Sequence, residues 1–249
     1  MAEQIKWKFG TVIEIRQETP RVKSLILDVP DWTKHLAGQR VDVRLTAEDS
    51  YQAQRSYSIA SPPEDKRLML TVDRIEDGEV SPYLTDELQI GDQLELRGPI
   101  GGYFVWNAND EKNEGVPLFL IAGGSGIVPL MAMIRHRANS GKKVPTKLLY
   151  SSRSYEDIIY REELDHLAGN DSSLRVIHTL TRRQAQNWTG YKRRIDRAMI
   201  IETAWQTAEN PNAFVCGSTL LVETVATYLQ ELGYAAERIK TERFGPTGV

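Results

Sequence analysis

The run Pro117-Leu118-Phe119-Leu120-Ile121-Ala122, followed at once by Gly123-Gly124-Ser125-Gly126-Ile127-Val128-Pro129, restricts the fold more than any other part of the chain. A short apolar run suits a buried strand, and the pattern from Val128 to Ala138 suits a helix, so the glycines form a strand-to-helix turn. Such a turn belongs to a parallel sheet covered by helices on both faces. The same period recurs downstream. Strand patterns at Thr146 to Tyr150, Leu174 to Thr179, Ala213 to Cys216 and Arg238 to Glu242 alternate with helical patterns at Arg161 to Leu167 and Leu220 to Leu232. Right-handed crossovers then bring the loops after the first and fourth of these strands to one carboxyl edge, so that Gly123 to Gly126 and Cys216 to Ser218 face one crevice.

The first part of the chain has the other period. Thr11 to Ile15, Val22 to Leu27, Val41 to Leu45, Leu68 to Val72 and Leu94 to Leu96 alternate apolar and polar residues, and an extended segment runs through Arg55 to Ser58. With one helix candidate, Pro82 to Leu88, the region reads as a six-stranded antiparallel barrel. The polar, turn-forming stretch Asn107 to Gly115 separates the two patterns. The expected organisation is a barrel over 1–106, a linker over 107–115 and a Rossmann-like, doubly wound parallel sheet over 116–249.

Composition removes several classes. At 249 residues and 41% hydrophobic content the chain can bury two modest cores. Its 31 Lys and Arg against 34 Asp and Glu are dispersed, leaving no chain-wide basic field for nucleic acid. Neither the Met1 to Gly10 segment nor any later run has the apolar stretch of a signal peptide or a membrane span, so a soluble, cytoplasmic protein is expected. A single cysteine, Cys216, cannot form an internal disulfide or supply four thiolates to an iron–sulfur cluster. His35, His136, His166 and His178 lack metal-site spacing, and no metal is expected. No glycine-flanked serine nucleophile, phosphate-binding lysine loop or paired-carboxylate motif is present.

The glycine loop has a direct physical reading. Gly123, Gly124 and Gly126 let the backbone approach a pyrophosphate closely, Ser125 lies between them, and the following helix offers unpaired amides. Pro129 suits that helix's first turn. A dinucleotide domain that takes NADH commonly carries an acidic residue at the end of its second strand. Here Ser151-Ser152-Arg153 stands there, and Arg182 follows the third strand; hydroxyls and guanidinium groups suit a ribose phosphate. NADPH is favoured, with NADH possible. The same arginines would also be ordinary on a solvated surface.

Four segments together, Arg55-Ser56-Tyr57-Ser58, Gly123 to Pro129, Cys216-Gly217 and Glu242-Arg243-Phe244-Gly245-Pro246, resemble the ferredoxin reductase-like family of flavin and nicotinamide oxidoreductases over nearly the whole chain. The resemblance implies an FAD cofactor on the barrel, with Arg55 at its phosphate and Tyr57 and Ser58 near its ring system. It also implies a second flavin segment, Gly78-Glu79-Val80-Ser81-Pro82, in which Ser81 caps the helix from Pro82, and a flavin contact from Val72. Ser152, Arg153 and Arg182 fall where relatives bind the phosphorylated nicotinamide cofactor. Cys216 and Gly217 fall beside the nicotinamide, with the cysteine orienting the ring rather than attacking it. Glu242 falls near the reacting rings and Phe244 close to them, although five residues follow Phe244 where some relatives end on an aromatic. Ser58, Cys216 and Glu242 are the implied catalytic residues. Gly98-Pro99-Ile100-Gly101-Gly102-Tyr103-Phe104 resembles the family's turn between barrel and linker and is read as architecture first. The implied activity is transfer of hydride from NADPH to FAD and of electrons onward to a separate acceptor, such as ferredoxin or another redox protein. Reduction of free flavin, quinone or a ferric chelate, and a partner-dependent electron-transfer subunit without activity of its own, are the other readings.

Overall fold

A computed structural model describes residues 5–245; Met1 to Gln4 and Pro246 to Val249, which include part of the tail singled out above, lie outside the described residues. The chain divides into two compact units, one formed by residues up to Trp106 with Met131–His136, the other by Asn107–Leu130 and the residues from Arg137 onward.

The first unit is a six-stranded antiparallel sheet of β1 (Trp7–Thr19), β2 (Val22–Asp28), β3 (Arg40–Thr46), β4 (Gln52–Ser58), β5 (Leu68–Asp73) and β6 (Gln93–Ile100). The strand order is β4-β3-β6-β1-β2-β5. The two end strands also meet, through an Ile59–Leu70 bridge and a 2.8 Å bond from the Ala60 amide to the Met69 carbonyl. Closure removes the exposed edges and gives the expected barrel. Alternate residues of each strand fill it: Leu25 and Leu27, Val41 and Val43, Leu68, Leu70 and Val72, Leu94 and Leu96 are all buried in one core.

One local reading is corrected. The helix expected from Pro82 forms, continuous over 81–87 and widened at Tyr83–Glu87, but Ser81 does not cap it. The Ser81 hydroxyl instead accepts the Ile75 amide at 3.0 Å, because the loop after β5 folds back and that amide has no ladder partner. Within the expected turn segment Gly98 to Phe104, β6 runs on to Ile100 through a cis Gly98–Pro99 peptide bond, and the backbone bends from Gly101, where φ is +104°.

The second unit is a five-stranded parallel sheet of β7 (Leu118–Gly123), β8 (Thr146–Ser152), β9 (Leu174–Leu180), β10 (Asn212–Gly217) and β11 (Ile239–Arg243), in the order β11-β10-β7-β8-β9. Helices α1 (Ile127–Asn139), α2 (Arg161–Asn170), α3 (Arg197–Thr203) and α4 (Thr219–Glu231) alternate with the strands. Helix α3 is absent from the sequence reading. Its start is capped by Asp196, whose carboxylate accepts the Met199 amide at 2.8 Å, and its Met199 and Ile200 enter a core with Phe119, Val215 and Val225. The chain adds β8 and β9 on one side of β7, then returns to place β10 on the other. That reversal creates the crevice at the carboxyl ends of β7 and β10 where open α/β sheets take ligands. Among the described residues no helix is long and apolar enough to cross a membrane.

Candidate functional site

The loops after β7 and β10 meet as the sequence implies. Cys216 pairs in register with Ala122, and a Cβ added to Gly126 would lie 2.2 Å from the Cys216 carbonyl oxygen. Glycine is required at 126 by this backbone approach. Gly124 is required for a different reason: its φ of +54° is left-handed, and a Cβ there would meet nothing within 4 Å. Gly124–Gly126 form one tight turn that leads directly into α1, with Pro129 in the first helical turn. Tyr150, on β8, fastens this loop: its hydroxyl donates to the Gly124 carbonyl at 3.1 Å and accepts the Ile159 amide.

Cys216 lies near the carboxyl end of β10. The residue is fully buried, and burial first, then the nearby Glu242 carboxylate, push its thiol well above the ordinary range. A neutral thiol is a poor nucleophile. Glu242 is the in-register neighbour of Cys216 on β11, and the Phe244 amide donates to the Gly217 carbonyl at 2.8 Å. The strand register thus collects Cys216, Gly217, Glu242 and Phe244.

At the ends of β8 and β9 the expected phosphate-binding groups also converge. The Arg153 carbonyl accepts the amides of Arg182 at 2.8 Å and Arg183 at 3.2 Å, and the Ser152 carbonyl accepts the Thr181 amide. All three guanidinium groups belong to exposed residues. Ser152 is buried, and its hydroxyl has no hydrogen-bond partner. Arg183 was not singled out from sequence; its adjacency to Arg182 was the available signal. Beside this edge, His178 packs between Tyr150 and Trp188, with ring centroids 5.7 and 6.2 Å away, and burial pushes its imidazole down toward the neutral form.

On the barrel, β4 carries Arg55 and Tyr57 opposite Val43 and Val41 of β3, so the two share one face. Tyr57 packs against the barrel core, and burial pushes its phenol up, so it stays protonated. Arg55 is exposed, and its guanidinium bonds the Gln54 carbonyl and the Glu79 carboxylate, both at 2.7 Å. Tyr51 donates to the other Glu79 oxygen at 2.7 Å. The Tyr51 hydrogen bond first, then the one from Arg55, lower the Glu79 carboxyl from its ordinary value. Neither Tyr51 nor Glu79 had been given a role. Ser58 is buried with a hydroxyl that lacks any partner. Val72 and Val80 are both buried, and their side chains fill the barrel core. A Cβ on Gly78 would crowd the Ser81 hydroxyl at 3.0 Å, so this glycine serves the loop's own turn.

These residues fit the two cofactors. Leaving a hydroxyl buried and unpaired costs about 1–3 kcal/mol, so such groups mark places where a further partner is expected. Ser58 and Ser152 are two of them, one in each unit.

Comparison with known proteins agrees. Residues 10–105 match the family described as oxidoreductase FAD-binding domain, and residues 120–227 the oxidoreductase NAD-binding domain. The ferredoxin–NADP reductase B of Sorangium cellulosum is 31% identical over 242 residues, covering 94% of this chain and 96% of that protein. The glycine betaine monooxygenase reductase subunit of Pseudomonas aeruginosa is 33% identical over 240 residues, 94% of this chain. This chain spans 63% of the length of that relative. A cytochrome P450 reductase from Amycolatopsis shares the fold with a TM-score of 0.85 at 24% identity, covering 98% of this chain and 71% of that one. The chain therefore belongs to the ferredoxin–NADP reductase-like family of flavin and nicotinamide oxidoreductases.

Proposed function

We propose that this chain is an NADPH-dependent flavoprotein reductase that delivers electrons to a separate redox protein, a ferredoxin being the first candidate. The observation that carries the reading is the pair of buried, unpartnered hydroxyls, Ser58 and Ser152, each beside groups suited to one cofactor. When bound, NADPH supplies a hydride, and FAD accepts it and releases electrons singly or in pairs.

The protein's own contribution is alignment and electrostatics. Arg55 holds the flavin phosphate, and Tyr57 and Ser58 border the ring system. Backbone amides of the Gly123–Gly126 loop and the start of α1 hold the nicotinamide dinucleotide's pyrophosphate, which the glycines allow to approach. Ser152, Arg153 and Arg182 take the ribose phosphate, joined by Arg183. Cys216 and Gly217 border the nicotinamide, where a neutral thiol adds no charge to the reacting rings. Glu242 and Phe244 lie alongside, tied to β10 by register and by the Phe244 amide. The assignment of residues 1–106 to the flavin and 116–249 to the nucleotide follows the same motifs. A separate acceptor suits relatives named as reductase components and subunits, and a cytoplasmic location suits the NADPH supply.

Anaerobic titration of the flavin-loaded chain with NADPH and NADH, followed by the oxidised flavin absorbance, tests the reading. Rapid bleaching is expected at far lower NADPH than NADH. Preference for NADH would remove the roles of Ser152, Arg153 and Arg182, and no bleaching by either would favour a subunit that works only within a complex. Turnover with free flavin, quinone or ferric chelate that outpaces any ferredoxin would overturn the redox-protein acceptor.

A further inference from the structure

Among the described residues, three of the buried polar atoms that lack a hydrogen-bond partner lie on two adjacent strands of the second unit: the Ser152 hydroxyl and both ring nitrogens of His178. Tyr150 of β8 stands in register with His178 of β9, and their ring centroids lie 5.7 Å apart, so the two side chains share a face of the sheet. Ser152 is two residues on from Tyr150, so it shares that face and is the diagonal neighbour of His178. Trp188 closes the other side of the imidazole, 6.2 Å away, and Gly190 admits it: a Cβ there would lie 2.6 Å from the indole ring. At the same end of the two strands the Arg153 carbonyl accepts the Arg182 and Arg183 amides.

A neutral imidazole carries one donor and one acceptor, and leaving both buried without partners is costly. The surrounding polar groups do not satisfy them. The Tyr150 hydroxyl is engaged by the Gly124 carbonyl and the Ile159 amide, and the Trp188 indole N–H by the Tyr191 carbonyl at 3.1 Å. Burial pushes the imidazole down toward the neutral form, and the Asp165 carboxylate of α2 acts in the opposite direction. Arg153, Arg182 and Arg183 are exposed, so solvent screens their repulsion of a charged ring. A ribose phosphate arriving at Ser152 changes this balance. It only accepts hydrogen bonds, so it can take the Ser152 hydroxyl proton in a bond while the Ser152 oxygen accepts an imidazole N–H. Its negative charge also favours the imidazolium form.

We propose that His178 is a proton-linked positioning residue for NADPH: it backs the Ser152 hydroxyl with an N–H and takes up a proton when the ribose phosphate binds, so that affinity for NADPH, unlike that for NADH, depends on pH. The inference rests on the assignment of Ser152, Arg153 and Arg182 to the phosphate, and His178 acts on that phosphate through Ser152. Linkage fixes the sign. The free chain protonates His178 below the ordinary value of about 6.5, and the bound chain at a higher pH. Binding therefore strengthens as pH falls through the bound value and levels off below the free one, by at most about tenfold per pH unit. The phosphate acts in reverse: its second ionisation lies near about 6, so acidification removes charge that the arginines hold. A rise in affinity on acidification thus reports a group of the protein.

The test is calorimetric titration of the flavin-loaded full chain with the oxidised cofactors NADP+ and NAD+, which bind without turnover, between about pH 8 and about pH 6.5. The wild-type chain is expected to bind NADP+ at least about threefold more tightly at the lower pH, and NAD+ equally at both. His178→Gln keeps a donor but takes up no proton, so it should match the wild-type affinity for NADP+ at the higher pH and lose the rise. His178→Phe should weaken NADP+ about tenfold at the lower pH and leave NAD+ unchanged. Without nucleotide it should melt no lower than wild type, because the ring nitrogens it removes have no partners. NADP+ affinity that stays flat or falls on acidification of the wild type, the same rise in His178→Gln, or equal loss of both cofactors in His178→Phe would overturn the inference and leave the phosphate assignment standing. Wild-type binding of NAD+ as tight as NADP+ at every pH would overturn both.

Discussion

Replacing Gly126 with alanine tests the meeting of the glycine loop with β10. The added Cβ would lie 2.2 Å from the Cys216 carbonyl oxygen, 2.5 Å from its carbon and 2.8 Å from the Gly217 nitrogen. Non-bonded carbons sit about 3.5–4.0 Å apart at their optimum, so the gap must open by roughly 1 Å. The obstructing atoms are backbone, in a strand paired on both sides with β7 and β11, and have no rotamer into which to move. Overpacking typically costs about 1–3 kcal/mol, and an unyielding neighbour places this substitution at the upper end, about 3 kcal/mol. At roughly 2–4 °C per kcal/mol for a chain of this size, Gly126→Ala should lower the melting temperature by about 6–12 °C.

Gly124→Ala is the control, because its Cβ meets nothing and only the left-handed φ of +54° is penalised, at about 1–2 kcal/mol. It should therefore melt higher than Gly126→Ala. Its new methyl group nevertheless occupies the open side of the loop, so it should weaken NADPH binding by more than its stability loss suggests. Circular dichroism melts of the two variants, with NADPH titrations alongside, separate the effects. Gly126→Ala melting within about 1 °C of the wild type, or Gly124→Ala proving the less stable of the pair, would refute the reasoning.

Ser58→Ala removes a buried hydroxyl with no partner, so the flavin-stripped chain should melt no lower than wild type while the flavin-loaded chain is reduced more slowly by NADPH. A clear loss of stability in the stripped variant would show that the hydroxyl has a partner. Arg137 is almost fully buried, its guanidinium bonding the Val144 carbonyl, Asp171 and Ser173, so Arg137→Met should destabilise the second unit by about 3 kcal/mol. Burial pushes the Asp171 carboxyl up, but hydrogen bonds from Ser173 and Arg137 outweigh it and hold it down to about 2. Because the folded value lies below the unfolded one of about 3.9, this stabilisation is complete above that pH and lost as pH falls toward about 2; the deficit of Arg137→Met should narrow over the same window in melts taken across it. Cys216, buried with its thiol pushed up, should react with a disulfide reagent far more slowly in the native chain than in denaturant. Rapid labelling of the native protein near neutral pH would contradict its burial.

What the sequence discloses and what it hides divide along a physical line. Period-two and strand–helix patterns reflect burial of one face, and burial is a property each segment carries locally. The barrel strands and the parallel sheet were therefore legible, as was the convergence of the loops after β7 and β10, which chain reversal imposes. Helix α3 was missed because its seven residues bury only Met199, Ile200 and Thr203, too short a stripe to establish a period, although Asp196 stood ready as its cap. Ser81 was misread because a serine before a proline is an equally good cap or loop partner, and the choice depended on the stranded Ile75 amide.

Least legible were the pairings that tune the binding groups. The Arg55 motif announces a cation, but its two fixed bonds run to Gln54 and to Glu79, the latter 24 residues away on a loop without periodicity. Tyr51 reaches the same carboxylate from the hairpin before β4. A solvated arginine on a strand has many rotamers; one clasped between a carbonyl and a carboxylate, itself held by a phenol, keeps its remaining donors pointing in a fixed set of directions. Rigidity of that kind determines whether a cation merely attracts phosphate or positions it. Strand periodicity supplies the cation, and loop contacts supply its aim. Replacing Glu79 should accordingly loosen Arg55 even though removal of a neighbouring negative charge, taken alone, would strengthen its attraction for phosphate.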